Sequence, residues 1–501
     1  MRSQFRNLRL PGTPNPVNLL VDQGLILDIT PAASGSANRR SEAGDRIVDA
    51  GGRWAVPGLW DSHVHFSEWA ISSHRLDLSG AGSAADAARI VAAAIAEPAD
   101  TGGLGRAGAT EVLVGAGFRD GLWPDSPSAA LLDSVTGATP AVLISGDLHC
   151  VWLNTAALRR FGRAAHPTGI LREGAAFAIT TALEVPAELL DTWMAEAAAA
   201  AARRGVVGIV DFQMAWNLEP WQRRFAGGFD TLRVDFGVYP EHLDRAISAG
   251  LGSGRVIDGT GGLLRVGSVK VITDGSLNTR TARCVDPYPG MTGPEAFGEL
   301  TVTPGELQSL LHRAAEHGFR VAVHAIGDAA AAHALDAFAA TGAQGSIEHA
   351  QLLRTEDFER FAQLGVLASV QPEHALDDRD VAERYWAGRT DRAFALGSLL
   401  AAGARLALGS DAPVAPLDPW LTIAAAVGRE RDARPAWHPE QRISAQEAIR
   451  ASARSTIAVG QPADLVMLDH DPLSAHATAL RGMPVAATVL AGRFTFNGLA
   501  D

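Results

Sequence analysis

Six residues spread over almost 350 positions are of the types that build a metal centre: His63, His65, Lys270, His324, His349 and Asp411. His63 and His65 stand two apart in Pro57-Gly58-Leu59-Trp60-Asp61-Ser62-His63-Val64-His65-Phe66, and a β-strand repeats every two residues, so both imidazoles project from one face. Two neutral imidazoles with an acid close by are a common start to a transition-metal site. Alone, such a pair in a chain of fifteen histidines is more often a surface or hydrogen-bonded pair. The other four residues change the reading, because each sits on or closes a short apolar run: Lys270 after Val266-Gly267-Ser268-Val269, His324 after Arg320-Val321-Ala322-Val323, His349 after Ser346-Ile347-Glu348, and Asp411 after Leu406-Ala407-Leu408-Gly409-Ser410. One strand-end histidine is ordinarily a core or rim residue, and Asp411 alone could open a turn with Ala412-Pro413. An ammonium inside a strand of Val, Ile and Thr is different, since its burial is costly unless it is paired or modified. Six such residues at strand ends point together to a metal site.

The elements that must position them alternate short apolar strands with Ala-rich amphipathic stretches, the pattern of a parallel sheet covered by helices. Eight strands are expected: around His63, Gly208 to Phe212, Val234 to Val238, Ser268 to Ile272, Arg320 to His324, Ser346 to His349, Leu367 to Gln371 and Leu406 to Asp411. Eight such units make an α/β fold, a (β/α)8 TIM barrel, whose active site lies at the carboxyl ends of the strands. The stretch from about 67 to 204 is too long for one crossover and is read as an insertion between strands 1 and 2, over the barrel mouth, with strand-like runs at Glu111 to Gly117 and Ala141 to Gly146. The two chain ends, 1–56 and 457–501, are β-rich and are expected to form one small β-sandwich around a barrel of residues 57–456. The Ala-rich run Ala195 to Ala202 reads as a helix, and Ser444-Ala445-Gln446-Glu447 as a capping box.

Composition narrows the partners. The apolar fraction is 47% and the charged fraction 20%, as in a soluble globule, and 43 Lys and Arg against 56 Asp and Glu give a charge of −13. That excess of acid disfavours nucleic acid and anionic membrane surfaces, although a local basic pocket remains compatible with an anion. Cys150 and Cys284 show no framework spacing, and no signal peptide or membrane-spanning run is visible, so a cytoplasmic protein with reduced thiols is expected. A small-molecule substrate is expected, and a homo-oligomer is left open.

The ordered set His63-x-His65, Lys270, His324, His349, Asp411 resembles the binuclear amidohydrolase superfamily. The phrases Lys270-Val271-Ile272-Thr273-Asp274-Gly275-Ser276-Leu277, His324-Ala325-Ile326-Gly327-Asp328, Ile347-Glu348-His349-Ala350-Gln351 and Gly146-Asp147-Leu148-His149 are similar to its amidohydrolase-3, or YtcJ-like, branch. Asn278-Thr279 and Ala329 depart from the branch pattern, where Gly-Ser and Arg are expected, and the linker from Ala451 to Pro462 is short. The resemblance implies a metal-bearing (β/α)8 barrel with a sandwich built from both chain ends. It implies that His63, His65, His324, His349 and Asp411 are metal ligands and that Lys270 is carboxylated and bridges two divalent ions, Zn2+ foremost, with Mn2+, Fe2+ or Co2+ also accommodated.

The chemistry that follows is hydrolysis of a C–N bond of an amide, N-formyl or cyclic amide by a metal-bridging hydroxide, with Asp411 moving the proton to the departing amine. A deaminase, an ester hydrolase or a non-catalytic metal-binding sensor are the alternatives. His149, Arg280, Gln371 and His374 fall on loops over the barrel mouth, where they either contact substrate or serve as ion-paired, packing or hydrogen-bonding residues. Asp274 and Glu348 either orient ligands or accept loop hydrogen bonds, and Trp152 either walls a pocket or packs in a core.

Overall fold

Eight runs rich in Val, Leu, Ile and Ala, none longer than nine residues, form one parallel sheet in sequence order in the computed structural model, which describes residues 2–32, 46–96, 112–183 and 185–499. The barrel strands are Leu59–Val64, Val206–Asp211, Arg233–Val238, Leu264–Ile272, Val321–Ala325, Gly345–His349, Leu367–Val370 and Arg405–Leu408. Helices between them bury an apolar face against the sheet, as expected for strands covered on their outer side. The eighth strand ends earlier than the sequence suggests, so Asp411 sits on a turn beyond it. The first and eighth units nevertheless meet there: Asp411 N donates to His63 O at 2.7 Å and His65 N to Ala412 O at 2.8 Å. Gly409 permits this closure, because a Cβ on it would lie 2.7 Å from His63 N.

The insertion carries more regular structure than its two legible runs. Five strands, Leu76–Asp77, Leu113–Phe118, Ala141–Ser145, Cys150–Leu153 and Ile170–Arg172, form a sheet in that order, parallel across the first three and antiparallel across the rest. Of the first expected run, Glu111 lies outside the described residues. Apolar clusters cover both faces of this sheet, one with Phe118 and Trp152, the other with Leu158 and Ile179. Trp152 is therefore a core residue, its Nε1 donating to Ser128 O at 2.9 Å. The helix Ala187–Arg203, which contains the alanine run, packs Trp193, Met194 and Ala198 into the barrel's own core and so belongs to the barrel layer.

Two four-stranded sheets complete the molecule. Ser3–Leu8, Val17–Asp22, Leu25–Pro31 and Arg46–Asp49 form one, and Trp54–Pro57, Leu465–Leu468, Val485–Leu490 and Arg493–Asn497 form the other. Phe5, Leu19, Ile26, Leu465, Met467 and Val489 fill the space between them. Trp54–Pro57 pairs with Leu465–Leu468, so both chain ends contribute to the sandwich. Ser444 caps the helix Ala445–Ala451 reciprocally with Glu447. Cys150 and Cys284 are buried and unpaired, and no helix among the described residues is long and apolar enough to cross a membrane.

Candidate metal centre

The carboxyl ends of barrel strands one, four, five and six, with the turn after strand eight, deliver His63, His65, Lys270, His324, His349 and Asp411 into one cavity of about 360 Å3. The ring centroids of His324 and His349 lie 4.4 Å apart, and those of His63 and His349 4.9 Å. His63, His349 and Asp411 each present a ligand atom within 4.8 Å of the others. His63 Nε2 and His65 Nε2 both lie 3.4 Å from Asp411 Oδ1.

The donor set fits a divalent cation. His324 Nε2, His349 Nδ1 and Asp411 Oδ1 are buried with no hydrogen-bond partner among the described residues, a costly arrangement that a bound cation would relieve. Burial holds His63, His324 and His349 well below the ordinary imidazole range, so all three are neutral and carry a lone pair. Two of the converging residues are also in strained backbone, His349 at φ 71° and Asp411 at φ 58°, in the left-handed region that costs a non-glycine residue about 1–3 kcal/mol.

Lys270 is the only lysine of the chain and is 1% exposed. Its Nζ lies 3.4 Å from His63 Nε2 and 4.6 Å from the centroid of the Phe212 ring. Burial lowers its pKa to about 8, against the opposing pull of Glu348 and Asp411. A substantial fraction of free amine near neutrality is what addition of carbon dioxide requires.

Buried carboxylates orient the cluster. Glu348 Oε2 accepts from His63 Nδ1 at 2.7 Å and fixes the orientation of that ring. Asp274 receives backbone N–H groups from Ile326, Gly327 and Arg283 at 2.8 to 3.0 Å and ties together the loops after strands four and five. Asp61 accepts from the backbone of His63 and Ser410 and seals the barrel seam. Burial pushes Asp61 and Asp274 each up to about 7. Asp61 carries the same two-residue strand spacing to His63 that His65 does, which is the sequence signal that marks it.

The insertion closes the cavity. Its turn at Asp147 to His149 lines the wall, and His149 Nδ1 lies 2.7 Å from Glu173 Oε2. Glu173 Oε1 accepts from Thr279 and Thr281, while Ser276 donates to Asp147, so the insert is docked on the loop that follows Lys270. Burial works against protonation of His149, but the hydrogen bond and charge of Glu173, together with Asp147, raise its pKa to about 9. Glu173 has no motif around it, and nothing in the sequence marks it. His374 also lines the cavity, with Nε2 buried and unpartnered and its ring stacked 6.2 Å from His349. Arg280 lines a neighbouring cleft beside Asp120 and Tyr385, and Gln371 is buried against Ser369 O, outside the cavity lining. Ile71, Phe177, Leu183, Leu190 and Met214 add apolar surface to the cavity lining.

The chain is similar to known proteins over most of its length. The profile of the Amidohydrolase family matches residues 46–496. YtcJ of Bacillus subtilis (strain 168) is 27% identical over 498 residues, 90% of each chain. The N-substituted formamide deformylase of Arthrobacter pascens is 26% identical over 503 residues, 89% of each chain. Among solved structures, an uncharacterized metal-dependent hydrolase from Pyrococcus horikoshii OT3 superposes with a TM-score of 0.78 at 26% identity, over 95% of this chain and 99% of the other.

Proposed function

Because this chain belongs to the amidohydrolase family of metal-dependent hydrolases that act on carbon–nitrogen bonds, we propose that it cleaves an amide, N-formyl or cyclic amide of a small molecule at a binuclear centre. The observation that carries this reading is that one cavity brings His324, His349 and Asp411, each with a buried polar atom lacking a hydrogen-bond partner among the described residues, beside the only lysine of the chain. His63, His65, His324, His349 and Asp411 would hold the cations with a carboxylated Lys270, and Zn2+ suits a set of imidazoles and carboxylates best, with Mn2+, Fe2+ and Co2+ as substitutes. Two such cations, when bound, would supply an activated water and an electrophile for the scissile carbonyl.

The chain's own residues do the rest. Asp411 Oδ1, unpartnered and facing both His63 and His65, takes the proton of the attacking water and returns it to the departing amine. His149, a cation anchored by Glu173, offers a hydrogen-bond donor to the substrate oxygen, and His374 Nε2 a second polar contact. The apolar surface of Ile71, Phe177, Leu183, Leu190 and Met214 receives an apolar substituent, which accords with the N-substituted formamides named for the Arthrobacter pascens relative. Reduced buried thiols suit the cytosol as its compartment.

The test is a panel of N-substituted formamides, acetamides and lactams, with matching esters and amidines, run on the protein loaded with each of the four metals. Amide turnover that Asp411→Asn abolishes without loss of metal supports the reading; turnover of esters or amidines alone reassigns the bond. Anomalous scattering that shows one metal and an unmodified Lys270 removes the binuclear mechanism and leaves the fold untouched.

A further inference from the structure

The interior of a (β/α)8 barrel is ordinarily filled by layers of bulky branched side chains, and its amino-terminal face serves stability. Below the metal centre this barrel departs from that pattern. Phe212 and Glu348 form a ceiling, and beneath them Ser62, Ser268, Ser346 and Ser369 line a cavity of about 800 Å3 that opens at the amino-terminal ends of the strands. Ser346 donates to Glu348. Ser369 Oγ, in a residue 2% exposed, lies near Glu348 but makes no hydrogen bond of acceptable geometry.

The mouth of this cavity is ringed with arginines that the topology places there. Arg265 stands at the start of the fourth strand, Arg320 just before the fifth and Arg405 at the start of the eighth. Arg454 lies over Trp60 of the first strand, 4.0 Å from its ring centroid. Asp235 of the third strand is ion-paired with Arg454 and is the one carboxylate at the rim among the described residues lining the cavity. Arg405 spends one donor on Gly365 O at 3.2 Å. The guanidinium groups of Arg265 and Arg320 make no hydrogen bond or ion pair to any described residue. In a chain of net charge −13, three guanidinium groups without a carboxylate surround one opening. All three arginines are exposed, so an anion can reach them from solvent.

We propose that the amino-terminal end of the barrel is a second binding site, for a small phosphate monoester whose charged group lies among Arg265, Arg320 and Arg405 and whose hydroxylated body enters the serine-lined cavity. Guanidinium forks match phosphate oxygens in geometry as well as charge, and the cavity volume falls in the range of small-molecule sites. Phe212 and Glu348 stand between this site and the cluster of His63 and Lys270.

Calorimetric titration of the metal-loaded full chain with glycerol phosphate, inorganic phosphate and chloride tests it. The expected result is one site per chain for glycerol phosphate, weaker binding of inorganic phosphate and none of chloride. The double variant R320Q/R405Q weakens the ester by at least about tenfold, the scale of losing charge-assisted contacts, while R223Q, which breaks a surface ion pair to Asp191, leaves it unchanged. Should the double variant not fold, R265Q at an exposed strand start supplies the same comparison. Absence of binding, an ester no tighter than inorganic phosphate, or affinity that survives the arginine substitutions overturns the assignment; the last places the anion at the metal centre.

Discussion

Glu348 holds His63 by its Nδ1, with 2.7 Å between the two side chains. That bond commits the ring proton to Nδ1 and turns Nε2 toward Lys270 and Asp411, each 3.4 Å away. The carboxylate that follows Ile347 is thereby the group that fixes the tautomer of a histidine 285 positions upstream.

Glu348→Gln keeps the shape and removes the charge that makes His63 a strong donor. Metal affinity falls about 10- to 100-fold, the range for losing a partner that orients a ligand, with the fold intact. Metal content after equilibrium dialysis against a graded chelator checks this; unchanged affinity would show that Glu348 only fills space.

A single lysine makes carboxylation directly visible. Protein equilibrated with 13C-labelled bicarbonate gives one side-chain carbamate resonance in carbon NMR, and Lys270→Arg gives none, because a guanidinium does not add carbon dioxide. The variant loses bound metal and turnover together. A carbamate signal that persists in Lys270→Arg belongs to the amino terminus and removes the bridging role.

His149 links stability to alkaline pH. Its folded pKa is about 9 against an ordinary 6.5, so between those values the folded chain keeps a proton that the unfolded chain releases. The stabilisation is complete below 6.5 and is lost as pH rises through 9. Unfolding midpoints of the wild type decline across that window, whereas Glu173→Gln returns His149 toward its ordinary titration and flattens the decline. Parallel curves for the two proteins would contradict the ion pair.

Gly409→Ala places a methyl 2.7 Å from His63 N and 2.9 Å from an Asp61 carboxylate oxygen. Backbone cannot yield as a flexible side chain would, so the seam opens at a cost of about 1–3 kcal/mol, and the metal site loosens with it. Denaturant unfolding and metal content measured on one preparation follow both effects; a variant with wild-type values for each would mean that the seam is softer than its contacts imply.

Much of this was legible in the sequence because barrel strands are buried on both sides and read as uninterrupted apolar runs, so a polar residue at the end of one stands out. His324, His349 and Lys270 announced themselves in that way. Asp411 was found although its strand stops at Leu408, since the closing turn of Gly409 and Ser410 continues an extended direction. The insert was less readable: strands as short as Leu76–Asp77 and Ile170–Arg172 carry no periodicity. Glu173 acts only through Thr279, Thr281 and His149, contacts distant in sequence. Arg280 and Gln371 had the right chemistry and the right loops, but the φ of 61° at Arg280 and the burial of Gln371 accompany positions outside the central cavity.

The seam between the first and eighth barrel units has a consequence for how the protein is made. A growing chain emerges amino terminus first, so the strand that bears His63 and His65 waits for its second neighbour until the turn at Asp411 and Ala412 has been synthesised. Throughout that interval one edge of the sheet is open and the histidine cluster lacks its carboxylate. If the cluster binds metal as proposed, a chain truncated before residue 411 would bring its imidazoles together without that carboxylate and would bind the metal more weakly.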